Sequence, residues 1–183
     1  WDVYYGHSIN QNHNLALQGG SKNVSYYFST AFLQEGGVLN WGTDKFRRIN
    51  VMGKVDLAIT DWWDFNWETR VSPKYRERPN MTKNGDYSNI FEEFARHYPF
   101  TPLYDGNGYL MSESHLPELI NGTDRFDDID YWNNFKTEIR PVKGWKINAD
   151  LAYNTYSLVL SDVEPTVYTH SVDKSLIAFG TTN

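Results

Sequence analysis

Cysteine is absent from the 183 residues, which excludes a disulfide framework, a thiol nucleophile and a thiolate zinc site. Runs of one charge sign are scarce as well. Seventeen Lys and Arg stand against twenty-three Asp and Glu, a net charge of −6. An acidic chain without a basic run is a poor partner for phosphate backbones, so nucleic-acid binding is not expected. No stretch approaches the ~18 apolar residues of a membrane helix, and the start of the chain does not read as a signal peptide. The first residue is Trp1 rather than Met, the expectation for a processed product or an excised piece.

Aromatic residues are abundant: seven Trp, thirteen Tyr and ten Phe make up 16% of the chain, although only 40% is hydrophobic. Such a ring content disfavours disorder. It fits a β-protein whose rings stack on a ligand, or a membrane β-barrel with Trp and Tyr girdles at its two interfaces.

Alternation decides the element type. From Ile49 the series Ile49, Val51, Gly53, Val55, Leu57, Ile59 alternates with Asn50, Met52, Lys54, Asp56, Ala58. Phe65, Trp67, Thr69, Val71 alternate with Asp64, Asn66, Glu68, Arg70, and Phe135, Thr137, Ile139 with Asn134, Lys136, Glu138, Arg140. Trp145, Ile147, Ala149, Leu151, Tyr153 alternate with Lys146, Asn148, Asp150, Ala152, Asn154. Weaker alternation runs through His13–Leu17 and Val24–Phe32. The predicted strands lie near 10–18, 23–33, 45–59, 64–72, 133–140 and 145–157. Tilted membrane strands need about 9–11 residues, whereas soluble strands run about 5–6.

The connections alternate short and long. Tight turns are predicted at Gly19–Asn23, Thr60–Trp63 and Pro141–Gly144; longer ones at Gln34–Asp44, over 73–132 and beyond Tyr156. Short turns on one side and long loops on the other are the habit of outer-membrane barrels. Trp62, Trp63 and Trp145 stand beside the tight turns, where an interfacial girdle belongs. Within 73–132, Ser88–Tyr98 reads as a short helix, with Asn89 and Glu92 in capping-box spacing and Pro99 as its stop.

Gln11-Asn12-His13-Asn14-Leu15-Ala16-Leu17-Gln18-Gly19-Gly20-Ser21, then Tyr26-Tyr27-Phe28-Ser29 and Gln34-Glu35-Gly36-Gly37, resembles the SusC/RagA-like family, TonB-dependent outer-membrane transporters of Bacteroidota. Asp44-Lys45-Phe46-Arg47-Arg48, Asn89-Ile90-Phe91, Pro102-Leu103-Tyr104-Asp105 and Lys143-Gly144-Trp145-Lys146 are similar to later family segments, and the likeness runs over roughly residues 9–157. The resemblance implies an all-β, antiparallel up-and-down meander, part of a large transmembrane barrel of about twenty-two strands, with one short helix in a long extracellular loop. It implies residence in the Gram-negative outer membrane and import of oligosaccharides or peptides. A SusD-like surface lipoprotein would act as lid, and a TonB complex would couple through parts of such a chain not present here. The plug and TonB box are not among these residues, so the sequence reads as an internal piece of barrel wall. Ile49, Val51, Val55, Leu57, Phe65, Trp67, Val71, Phe135, Ile139, Ile147, Ala149 and Leu151 would then face the lipid bilayer. Asn50, Lys54, Asp56, Asn66, Glu68, Arg70, Lys136, Glu138, Arg140, Asn148 and Asp150 would face the lumen.

No catalytic constellation stands out, so an enzyme is not expected. Glu92-Glu93 and Asp127-Asp128-Ile129-Asp130 supply carboxylates, but acid–base work needs two at a controlled separation, and neighbouring acids are usually solvated. The Asp127, Asp128, Asp130 run lacks a complete calcium-loop spacing. His7, His13, His97, His115 and His170 show no zinc pattern. No metal or cofactor is expected. The candidate ligand contacts are the rings Phe100, Tyr104, Tyr109, Tyr131 and Trp132, all placed in the long loop, where flat rings can stack on a sugar. Two readings compete with the importer: a soluble β-barrel or sandwich module binding a glycan or small ligand, and a carbohydrate-active enzyme.

Overall fold

The computed structural model describes residues 2–80, 92, 94, 95, 98, 100–171 and 173–179. Six antiparallel strands lie in sequence order in one sheet: β1 (Gln11–Gly20), β2 (Val24–Gly36), β3 (Lys45–Thr60), β4 (Trp63–Pro79), β5 (Thr123–Ile139) and β6 (Ile147–Val163). β7 (Val167–His170) and β8 (Leu176–Phe179) form a separate two-stranded sheet. The molecule is therefore all-β, an antiparallel meander, with a short helix, α1 (Leu116–Ile120), in the β4–β5 connection. The six-stranded sheet does not close on itself: β1 and β6 are its two edges.

β4, β5 and β6 are 17 residues each, longer than their alternation announces. The connection expected over 73–132 spans only 80–122, because β4 continues to Pro79 and β5 starts at Thr123. Charge pairs hold this extension where apolar alternation has ended. Lys74 meets Asp128 at 3.2 Å, Arg78 meets Asp124 at 3.2 Å, and Glu77 accepts from Arg125 at 2.9 Å and Lys45 at 3.1 Å. Arg78 also lies over the Phe126 ring and Arg125 over Tyr75. Pro73 has no N–H to give. The β3–β4 ladder accordingly lapses between the Arg48–Lys74 and Val51–Val71 pairs, and Ser72 Oγ bridges the gap by donating to Asn50 at 2.7 Å.

The connections sort by length to opposite ends, as expected. Segments 21–23, 61–62 and 140–146 turn at one end; 37–44 and the described residues of 80–122 and beyond Val163 lie at the other. The Gly144 backbone sits at φ 87°, a conformation open to glycine, where the β5–β6 connection turns back. At the long-loop end a cap assembles. Tyr4, Phe94, Leu116 and Leu119 form its buried cluster, with Tyr5, Leu39, Trp41 and Leu103 packed around it. Tyr4 donates its hydroxyl to the Ser114 carbonyl at 2.7 Å, and the Trp41 indole donates to the Val3 carbonyl at 2.8 Å. Of the helix expected over Ser88–Tyr98, Glu92, Phe94 and Ala95 are helical and Tyr98 is not. The other residues of that stretch, Asn89 included, and the Pro99 stop lie outside the described residues. α1 was not foreseen; it is one turn long, with Pro117 in its first turn and no alternation to announce it.

Candidate functional site

The sheet itself is the feature that needs a functional explanation, because its two faces differ and, among the described residues, neither carries a second layer. No Val, Leu, Ile, Met or aromatic side chain of β1–β6 is buried. The buried apolar cluster belongs to the cap.

Register puts the odd-numbered residues of β1 and β3–β6, together with the even-numbered residues of β2, on one face, called here the odd-numbered face. Tyr26 pairs with Val55, Val55 with Trp67, Trp67 with Phe135 and Phe135 with Leu151. That row crosses five strands without a charged residue. The row Val24–Leu57–Phe65 and, beyond Phe28–Gly53–Thr69–Asn133, the row Thr30–Val51–Val71–Tyr131 continue it. The Trp67 and Phe135 rings stack at 6.4 Å, yet both remain over a third exposed and Leu151 is 65% exposed. Two of the polar side chains on this face, Asn133 and Thr137, are each covered from β4. Trp67 donates its indole N–H to Asn133 Oδ1 at 3.3 Å, and Trp63 donates to Thr137 Oγ1 at 2.8 Å. Asn133 is 4% exposed as a result. An apolar face whose Asn133 and Thr137 are bonded from within suits surroundings that offer no hydrogen bonds.

The even-numbered face carries the charges. Asp56 accepts from Ser25 at 2.9 Å, from Asn66, and from Lys54 at 3.3 Å. Arg70 pairs with Glu68 and lies 4.8 Å from the centre of the Trp132 ring. Lys136 meets Asp150 at 3.5 Å, while Arg140 joins Asp64 and Glu138, and Lys146 joins Glu138 at 2.7 Å. A hollow of about 550 Å³ runs over this face near the tight turns, bordered by Ser25, Asp56, Asn66, Lys136, Glu138 and Asp150. The polarity is not uniform along β6. Beyond Thr155 the apolar residues Tyr156, Leu158 and Leu160 fall on the even face while Val159 and Val163 stay on the odd one, which is why the alternation read from sequence stops near 157 although the strand continues to Val163.

The five rings singled out from sequence do not converge. Tyr131 and Trp132 are neighbours within β5, not in a loop, so they project from opposite faces of the sheet. Phe100 is 81% exposed in the cap and stacks on Tyr98 at 5.4 Å. Tyr104 sits in a bridge with Leu110, and Tyr109 lies against the His170 ring at 4.4 Å. His170 Nδ1 meets Asp105 Oδ2 at 3.1 Å, tying β7 to the 105–109 turn. Alternation could not reveal this clasp, since its partners are far apart in sequence.

The carboxylate run splits likewise: Asp127 belongs to the odd face, Asp128 and Asp130 to the even face. Among the described residues no three His, Asp or Glu are placed to hold a metal ion. Three hydrogen bonds hold the Asp105 carboxyl below its ordinary range: foremost from the Tyr109 N–H, then from His170 and the Asn107 N–H. No family model matches the chain, and no curated protein matches it.

Two measurements follow from this geometry. Trp67→Phe strips the buried Asn133 oxygen of its donor, which costs about 1–3 kcal/mol. Adding Asn133→Val should return most of that loss in a urea-unfolding cycle; equal losses in the single and double variants would refute the pairing. Asp105 is a depressed carboxyl, so its contribution is present above the ordinary aspartate pKa of ~3.9 and is lost as the pH falls through its lower folded value. The hydrogen-exchange protection of the Tyr109 amide should hold down to about pH 4 and decline below it. Asp105→Asn should remove that decline.

Proposed function

We propose that the chain is barrel wall of a SusC/RagA-like TonB-dependent transporter of the Gram-negative outer membrane, importing oligosaccharides or other nutrients. The observation that carries this reading is the uncovered odd-numbered face, apolar in a row across five strands, with Asn133 and Thr137 bonded by tryptophan indoles. Its dimensions agree with a bilayer. Residues 63 to 73 of β4 cover ~33 Å at ~3.3 Å per residue. A tilt of about 40° reduces that to ~25 Å, the height of the apolar band on outer-membrane barrels. Above it, β4 and β5 carry on as the charge-paired extension, in the place of strands rising out of the membrane. Trp62 and Trp63, stacked at 6.2 Å, and the exposed Trp145 stand at the opposite margin, where interfacial rings belong.

In this reading the even-numbered face lines the lumen, and its ion pairs present a wetted wall to a polar solute. β1 and β6 keep unpaired edges, and six strands are too few to close, since the smallest membrane barrels have eight. Further strands of a longer chain, about twenty-two in all, would continue the sheet along both edges. The cap stands on the extracellular side, where a SusD-like lipoprotein would close, with Tyr98 and Phe100 exposed toward it. Motor coupling through TonB would rest on parts of the protein outside these residues. The wall performs no bond chemistry. A soluble binding module, the competing reading, requires the odd-numbered face to be buried, and none of its large apolar side chains is.

Val55→Arg tests the assignment. A cationic side chain on the lipid face near mid-height costs about 2–4 kcal/mol. Outer-membrane fractions should contain markedly less folded, heat-modifiable protein, whereas Lys54→Gln on the opposite face should assemble normally. Equal yields of the two variants would contradict the proposal.

A further inference from the structure

On the even-numbered face, just above the stretch of β4 that matches the apolar band, four side chains form one block. Phe46 and Arg48 of β3 stand directly opposite Arg76 and Lys74 of β4. Directly opposed side chains have their Cβ atoms about 5 Å apart and diagonal neighbours about 8 Å, so three cations share a patch with one ring. Like charges so placed repel one another, and the neighbouring acids relieve only part of the repulsion. Asp128 takes Lys74 at 3.2 Å, and Asp124 takes Arg78, the next cation up, at 3.2 Å. Among the described residues, the side chains of Arg48 and Arg76 form no ion pair, hydrogen bond or ring contact. Arg76 is exposed, and the Arg48 Nε is shut off from solvent without an acceptor. Glu35, exposed on β2 opposite Phe46, pairs with neither arginine, and Asp130 is divided from Arg48 by β4.

A chain of net charge −6 has acids to spare, yet it leaves these two guanidiniums unmatched on adjacent strands. The planar fork of arginine fits a carboxylate with two parallel hydrogen bonds. Phe46 lies beside both forks and offers a flat apolar surface, on which the C–H face of a sugar ring can rest. We propose that this block is a subsite for an acidic saccharide of the uronic-acid type, its carboxylate held between Arg48 and Arg76 and its ring laid on Phe46. Charge complementarity supplies the selectivity. The inference rests on the even-numbered face lining the lumen. Its added content is the class of solute, a carboxylated sugar met at the outer mouth of the wall, beneath the cap. Lower on the same face the cations are matched, Lys136 by Asp150 and Arg140 by Asp64 and Glu138, so the preference belongs to this one level.

Isothermal titration calorimetry of the detergent-extracted full-length protein tests it with trigalacturonate, its full methyl ester and triglutamate. Trigalacturonate should bind most tightly, about tenfold or more above the uncharged ester, and the gap should narrow as salt is raised. Arg48→Gln and Arg76→Gln should each weaken trigalacturonate about tenfold, the scale of one charge-assisted hydrogen bond, and leave the ester unchanged. Phe46→Leu should weaken both saccharides and spare triglutamate. Should a glutamine variant fold poorly, Arg48→Lys and Arg76→Lys make the same comparison with a smaller loss, since the charge stays and only the fork is removed. Equal affinity for acid and ester, or binding indifferent to both arginines, overturns the inference while leaving a membrane-extracted protein in agreement with the barrel-wall reading. Triglutamate bound as tightly as trigalacturonate overturns the assignment to a saccharide. A chain recovered as a soluble monomer overturns the inference and the barrel-wall reading together.

Discussion

Strand-to-strand pairing is what this molecule depends on, because none of the described residues stacks a second layer against the sheet. Backbone groups in β2 through β5 find partners on both sides, and the register is continuous across nearly the whole of each strand. Without an opposing layer, side chains gain contacts only along the face they share. On the odd-numbered face those contacts are rings and branched aliphatics, with two tryptophan indoles spent on Asn133 and Thr137. On the even-numbered face they are ion pairs. Each solution fits one kind of surroundings. Neighbouring apolar chains lose nothing against hydrocarbon, and exposed ion pairs of this kind contribute little in water beyond solubility and register.

Stability is consequently divided along the strand axis. The tight-turn half is a bare sheet whose face needs an external covering. The long-loop half has its own small core, where the 2–6 segment, the β2–β3 connection and the β4–β5 connection meet around Tyr4, Leu116 and Leu119. Between the two lies the charge-paired extension of β4 and β5, which carries the strands from the uncovered region up to the cap. Loops that rest on a core of their own are placed by packing as well as by their attachment points. A surface intended to meet a solute or a partner needs that definition.

Much of the sheet was legible because its burial is one-sided: a period of two survives only where the two faces meet different surroundings. The segments around Ile49–Ile59, Phe65–Val71 and Phe135–Ile139 showed it, and each lies in a strand. The signal vanished where both faces carry charge. Lys74–Pro79 and Thr123–Asp128 do so, and their pairing is written in opposition across strands, with Lys74 and Arg78 facing Asp128 and Asp124. A search for complementary charge between segments would have found it. The ring residues were harder still. Composition marks Phe100, Tyr109 and Trp132 as conspicuous but says nothing about where a chain of this length brings them, and the structure distributes them among the cap, the His170 clasp and the even-numbered face.

Because the 183 residues contain no cysteine, any cysteine introduced among them is unique there, and the two faces can be probed one position at a time in intact membranes. Lys54→Cys and Asn66→Cys should react with a water-soluble, membrane-impermeant maleimide in detergent-free outer-membrane fragments. Val55→Cys and Phe65→Cys should resist it, and a fluorophore placed on either should be quenched by nitroxide-bearing lipid. Equal reaction at neighbouring odd and even positions, without quenching at 55 or 65, would mean that water or protein covers the apolar side, and the account of this sheet as membrane wall would be wrong.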